Sequence, residues 1–212
     1  NKWFPQDMKP KWWNKGKRYL SKRDKVMRKL LSEYKGHLTT RKNFFYSLSR
    51  SIISQQISVS AADSVFSKFE KKCKGKINPK TVSNLSISDL RKCGLSRMKA
   101  KGIKSLAEKI LNKSFDPKLI KKMSDEDAIN YLSSLRQIGR WSSEMVLIFF
   151  YNRPNIWPVQ DIGLLRAISN NYNKKYLPPE RFVNKLRKKF SPYCTQAVMA
   201  LWYSVDNEPV QY

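Results

Sequence analysis

Three cysteines and a single histidine among 212 residues leave this chain few ways to hold a metal. Cys73, Cys93 and Cys194 are odd in number, widely separated and free of any CxxC pair, so no disulfide framework is implied and a reducing compartment is. With His37 as the lone histidine a zinc site lacks its ligand set, and an iron–sulfur cluster lacks four closely spaced thiolates; neither centre is expected. No apolar run approaches the roughly 18 residues of a membrane span. Near the N-terminus Trp3, Phe4, Trp12 and Trp13 are interleaved with lysine and proline instead of forming the apolar stretch of a signal peptide. The expectation is a soluble protein with no membrane partner that is not exported: cytoplasmic, at the nucleoid of a bacterium, or nuclear in a eukaryote. Low-complexity tracts, long linkers, solenoid repeats and convincing period-2 runs are missing as well.

Acidic residues are also scarce. Sixteen Asp and Glu face 43 Lys and Arg, a formal net charge of +27. Such an excess self-repels and is tolerated most easily against a polyanion, which makes nucleic acid the first partner to consider. The plainer alternative is a coat of solvated lysines without a partner. The 41% of apolar residues is enough to bury a core.

Apolar positions recur with a helical period broken by Ser, Pro and Gly, which predicts an all-α fold. Candidate helices cover about residues 22–34, 43–55, 59–72, 87–93, 97–112, 125–134, 141–151, 162–171, 179–189 and 193–205. Ser124 followed by Asp127 three residues on is a capping signal, and Pro179 suits a first helical turn.

The most informative stretch is Leu135-Arg136-Gln137-Ile138-Gly139-Arg140-Trp141-Ser142-Ser143, a very short turn between two of these helices. Such a hairpin can aim successive backbone N–H groups and the positive end of the second helix at a phosphate, with Arg140 adding charge. The alternative is an ordinary connection in which Gly139 merely supplies a positive φ. Twenty-two residues beyond Gly139, Asp161 follows Pro158-Val159-Gln160 where a helix should begin. An Asp before Ile162-Gly163-Leu164-Leu165 reads first as an N-cap. A catalytic role is compatible with that position, because a helix N-terminus favours a negative charge.

Four motifs then occur in one order: Arg50-Ser51-Ile52-Ile53-Ser54-Gln55-Gln56-Ile57-Ser58-Val59-Ser60-Ala61-Ala62, Cys93-Gly94-Leu95-Ser96-Arg97-Met98-Lys99-Ala100, the hairpin, and Pro158 to Asp161, with Ala200-Leu201-Trp202-Tyr203 behind them. Together they resemble the 3-methyladenine DNA glycosylase II branch of the helix-hairpin-helix DNA glycosylases, from about Leu20 to Tyr212. The resemblance implies a two-lobed all-α fold with the damaged base bound in a cleft. One lobe would span 44–157 and bear the hairpin at about 135–141, and the other would join 1–43 to 158–212 and carry the catalytic Asp. It implies Asp161 as that catalyst, Gln56 as the residue that enters the base stack, and Gln137, Gly139, Arg140 and Ser142 as the DNA-backbone hairpin. Trp141, Trp202 and Met145 would line the base pocket. The backbone carbonyls of Ser133, Leu135 and Ile138 would hold a monovalent cation, Na+ or K+; no cofactor is required. Gln137 departs from the family, which usually has a glycine there, and this puts the local backbone geometry in question.

Several of these residues keep plainer readings: Gln55 and Gln56 as caps of a turn, the tryptophans as core. The implied activity is hydrolysis of the N-glycosidic bond of an alkylated base, of the 3-methyladenine or 7-methylguanine type, in double-stranded DNA by a monomer. A non-catalytic helix-hairpin-helix binder would have no need of Asp161. A bifunctional glycosylase and lyase acting on oxidised bases would need an amine where Trp141 stands.

Overall fold

A computed structural model describes residues 9–205, so Trp3, Phe4 and Tyr212 lie outside the described residues. Among the described residues there is no strand. The helices are α1 (Trp13–Arg23), α2 (Lys25–Glu33), α3 (Phe44–Ser54), α4 (Val59–Lys72), α5 (Pro79–Ser83), α6 (Ile87–Lys92), α7 (Arg97–Leu111), α8 (Asp125–Ser133), α9 (Arg140–Phe149), α10 (Ile162–Asn171), α11 (Glu180–Phe190) and α12 (Cys194–Val205), with a 3-10 turn at Pro117–Lys122. Most begin on a short polar side chain that accepts a first-turn N–H: Asp24, Asn43, Ser58, Asn78, Ser86, Ser96, Ser124 and Asp161. These caps satisfy donors that a helix leaves orphaned.

The chain divides into two compact units. Described residues up to Thr40 and from Leu147 onward form one, and Arg41–Val146 the other, with the boundary inside α9. In the first unit α12 is buried at every position from Cys194 to Leu201, the pattern of a central helix. It packs against α1, α2, α10 and α11. In the second, α7 packs against α3, α5 and α6 through Ala100, Gly102, Ile103, Leu106 and Ala107. The three cysteines are free and buried, and burial pushes Cys73 up to about 11 and Cys194 up to about 12, so these are packing residues.

The helix expected over 22–34 is α2, and residues 22 and 23 belong instead to the end of α1, which was not expected. Asp24 leaves helical geometry at φ −144°, ends α1 and caps α2 through the Met27 N–H. Asp24 is 6% exposed. It accepts hydrogen bonds from the Met27 N–H (2.9 Å), the Tyr172 hydroxyl (3.0 Å) and the Lys189 ammonium (2.6 Å), which ties α2 to the helices of the C-terminal part. Burial alone would raise its pKa; the bonds from Lys189, Met27 and Tyr172 outweigh this and leave the carboxyl below its ordinary value. Replacement Asp24→Ala should lower the unfolding free energy at pH 7 by about 2–3 kcal/mol, less than a fully buried ion pair because Lys189 is partly solvated. Ionisation of Asp24 stabilises the fold fully above its unfolded pKa of 3.8, and this is lost as pH falls through the depressed folded value. Denaturant titrations should therefore show the gap between wild type and variant constant at higher pH, narrowing as pH falls below 3.8 and levelling off only below the depressed folded value.

Candidate active site

Asp161 is held from two directions. After α9, the segment from Arg153 to Ile156 is clipped to the head of α12: the Thr195 N–H donates to the Pro154 carbonyl (3.0 Å), the Thr195 hydroxyl donates to the Arg153 carbonyl (2.5 Å) and accepts the Ile156 N–H (2.9 Å). A turn follows in which the Asp161 N–H donates to the Pro158 carbonyl at 2.9 Å. Asp161 then caps α10, its Oδ1 accepting the Leu164 N–H at 2.6 Å. The same oxygen accepts the indole N–H of Trp202 at 2.8 Å. Trp202 stacks on Phe149, centroids 6.0 Å apart and planes within 9°. Asp161 is half-buried, while its neighbours Val159 and Ile162 are exposed at 42% and 61%. The capping reading is thus borne out, in a segment that is open to solvent on either side of the aspartate.

In the other unit, α8 ends at Ser133 and α9 begins at Arg140. The left-handed residue of this turn is Gln137, at φ 68°, not Gly139. The conformation that glycine usually supplies is therefore adopted by a glutamine, whose side chain lies over α7: a Cβ on Gly102 would stand 2.9 Å from Gln137 Cγ and 3.2 Å from its Cβ. The Gln55 amide donates to the Gln137 carbonyl (2.8 Å) and the Ser142 hydroxyl (3.2 Å). Lys99 in turn donates to the carbonyls of Ile53 (2.8 Å) and Gln55 (2.6 Å), closing the end of α3. The Ser143 hydroxyl donates to the Gly139 carbonyl at 2.8 Å, and α9 starts there with its first N–H groups lacking carbonyls within the helix.

Two of the expected hairpin groups also have partners within the protein. Arg140 is engaged by Glu126 on α8 through both terminal nitrogens (2.7 and 3.1 Å) and by Glu144 one turn on (3.2 Å). Its charge is offset locally, so it braces α8 against α9. The Ser142 hydroxyl is buried against Gln55, which leaves its backbone at the helix start as what it can offer. Gly139 is exposed and a Cβ there would meet nothing within 4 Å. Leu135 contributes its carbonyl to the Ile138 N–H at 3.2 Å. No group of three or more His, Cys, Asp or Glu side chains that could hold a metal occurs among the described residues.

Gln56 is exposed at φ 58° with Ile57, 41% exposed, beside it. Of the two glutamines it is Gln55 that fastens the turn. Trp141 is half-buried, and Met145 is 1% exposed, a packing residue of its unit. Trp141 and Met145 belong to the Arg41–Val146 unit, Asp161 and Trp202 to the other. Trp12 and Trp13 pack in the first unit, Trp12 donating from its indole to the Asn152 carbonyl at 2.9 Å and Trp13 being 4% exposed. The reading of Gln55 as a residue that caps its turn agrees with its bonds to Gln137 and Ser142, whereas no separate role was given to Lys99, Gly102 or Ile57 by sequence reasoning. A polar residue next to the expected wedge was a signal for Gln55; nothing local marked the others.

Residues 49–192 match the HhH-GPD superfamily of base excision DNA repair proteins. The chain is 34% identical over 157 residues to the alkylbase DNA glycosidase-like protein mag2 of Schizosaccharomyces pombe, covering 72% of this chain and 74% of that one. It is similar in structure to the 3-methyladenine DNA glycosylase Mag1 of the same yeast, solved in complex with abasic DNA: TM-score 0.79, 26% identity, 90% of this chain and 96% of that one. The 3-methyladenine DNA glycosylase of Archaeoglobus fulgidus aligns at TM-score 0.74 and 25% identity, over 93% of this chain and 71% of that one.

The packing of Gln137 on Gly102 makes a prediction opposite in sign to helix propensity. Alanine is favoured over glycine within a helix by about 1 kcal/mol, yet Gly102→Ala must push the hairpin off α7 and should be destabilising by about 1 kcal/mol net, as overpacking is. Adding Gln137→Gly, which removes the opposing side chain and suits the positive φ, should restore the melting temperature in thermal denaturation.

Proposed function

Because the chain belongs to the HhH-GPD superfamily of base excision DNA repair proteins, we propose that it is a monofunctional DNA glycosylase that extrudes an alkylated base from duplex DNA and hydrolyses its N-glycosidic bond. The observation that carries the reading is the Asp161 carboxylate, fixed at the head of α10 by the Leu164 N–H and the Trp202 indole.

A purine alkylated on a ring nitrogen is already cationic and leaves without a general acid. As the bond from C1′ breaks, its electron pair goes to the base and the sugar becomes oxocarbenium-like. A fixed carboxylate beside C1′ stabilises that charge without reorganising. Water adds to C1′ and gives up its proton to Asp161 or to solvent, leaving an abasic site. Extrusion costs roughly a few kcal/mol, least at damaged pairs, and the exposed Gln56-Ile57 turn supplies an amide and an apolar side chain to fill the stack. For the backbone, the open space over Gly139 admits a phosphate to the first turn of α9. Ser133, Leu135 and Ile138 offer neutral carbonyl oxygens, donors that suit a monovalent cation; the Leu135 oxygen keeps a second lone pair beyond its bond to Ile138. Such an ion, when bound, adds positive charge beside the phosphate.

The monofunctional reading rests on Trp141, whose indole cannot form a Schiff base. Burial lowers the pKa of Lys99, but its ammonium is committed to the carbonyls of Ile53 and Gln55. Replacement Asp161→Asn is expected to keep DNA binding and lose excision of a methylated base by at least about two orders of magnitude; near-normal excision would contradict the mechanism. Borohydride added during turnover should trap no protein–DNA adduct, and efficient trapping would mean that an amine attacks C1′ and the enzyme is a lyase as well. Binding to undamaged duplex should weaken steeply with salt as phosphate contacts release counterions.

A further inference from the structure

Trp202, expected to line the base pocket, also turns its indole N–H to the aspartate. We infer that Trp202 is a positioning residue that locks the Asp161 carboxylate, and that Gly163 is the position that lets it do so. This rests on Asp161 acting as the catalytic carboxylate.

One carboxylate oxygen, Oδ1, accepts both the Leu164 N–H at 2.6 Å and the Trp202 indole N–H at 2.8 Å. The capping bond alone holds one point of the carboxylate and leaves the χ2 torsion of the aspartate, which has a broad, soft profile, able to swing. A second donor arriving from another helix fixes that torsion and hence the direction in which the other oxygen is presented. The two donors come from elements that cannot move independently. Leu164 is in the first turn of α10, and Trp202 follows eight consecutive buried residues of α12, Cys194–Leu201. α10 and α12 pack on one another. The near-parallel Phe149 ring covers one face of the indole and holds its edge toward Asp161.

Gly163 sits at the junction. A Cβ there would lie 3.2 Å from Asp161 Oδ1, 3.4 Å from Trp202 Cδ1 and 3.5 Å from Trp202 Nε1. The first of these is tighter than ordinary van der Waals contact, so a side chain at 163 pushes on the bonded oxygen itself. Glycine is otherwise unfavourable inside a helix by about 1 kcal/mol, and the φ of Gly163 is not in the left-handed region that would demand it. Space for the carboxylate–indole bond accounts for its presence.

The test is single-turnover excision of a methylated base from duplex DNA, with DNA affinity and melting temperature measured on the same proteins. Trp202→Phe keeps a flat ring against Phe149 and a face for a base but has no N–H to give. The expected result is a rate at least about tenfold lower with unchanged affinity for undamaged duplex, and Trp202→Leu no slower than Trp202→Phe. Gly163→Ala leaves the core intact, and its gain in helix propensity offsets strain on the capping bond; its melting temperature should stay close to wild type while its rate falls several-fold, a split that a purely structural role would not give. A wild-type rate in Trp202→Phe, with loss only in Trp202→Leu, would mean that the ring face is what matters and would overturn the inference. So would a wild-type rate in Gly163→Ala, which decides the matter should Trp202→Phe not fold. Failure of the wild-type protein to release any base would instead sink the functional reading, and this inference with it.

Discussion

The hydrogen bond from the Leu164 N–H to Asp161 Oδ1 joins the fold to the proposed chemistry. It starts α10, and α10 buries Leu164, Ala167 and Ile168 in the core that surrounds α12. The same carboxylate is the one group of its segment suited to meet a developing positive charge. A capping residue satisfies a donor that the helix would otherwise leave orphaned, so the aspartate is held in place by an interaction that the fold needs in any case. Few side chains are required around it. The Arg153–Ile156 segment, clipped by Thr195, and the turn at Pro158 deliver it, and Trp202 adds a second bond to the capping oxygen.

The scarcity of acids gives each well-placed carboxylate a discernible part. Asp24 joins α2 to Tyr172 and Lys189; Asp89 closes a capping box at Ser86 and pairs with Lys72; Glu126 and Glu144 hold Arg140. With 16 acids against 43 basic residues, most of the positive charge has no acidic counterpart in the chain. In the proposed function a polyanion neutralises it from outside, and the hairpin is built in keeping with backbone contacts: the left-handed turn at Gln137 is fastened from within by Gln55, and a Cβ on Gly139 would meet nothing within 4 Å.

What could be read from sequence was what is encoded locally. Helices α3, α4, α7, α8 and α10 were expected to within a residue or two because Asn43, Ser58, Ser96, Ser124 and Asp161 cap them where an apolar period begins. α1 was missed because lysines and Gly16 dilute its period, and Gly16 is there because Gln196 packs against it. α5 was missed because five residues carry no period; its cap at Asn78 and Pro79 was the available cue. Asp161 was legible as a cap and by resemblance. Its bond to Trp202, 41 residues away, was not, nor was the bond from Gln55 to Gln137 across 82 residues, because both depend on how helices pack. The charge on Arg140 and the i,i+4 spacing to Glu144 were legible, whereas its partner Glu126 on α8 required the hairpin angle to be known.

The decisive measurement is chromatography of what the wild-type protein releases from duplex DNA treated with a methylating agent. A monofunctional glycosylase built on Asp161 gives free methylated purine in solution and an equal number of abasic sites, in strands that stay unbroken until alkali is added. DNA that is bound by the protein yet keeps all its methylated bases would contradict that assignment.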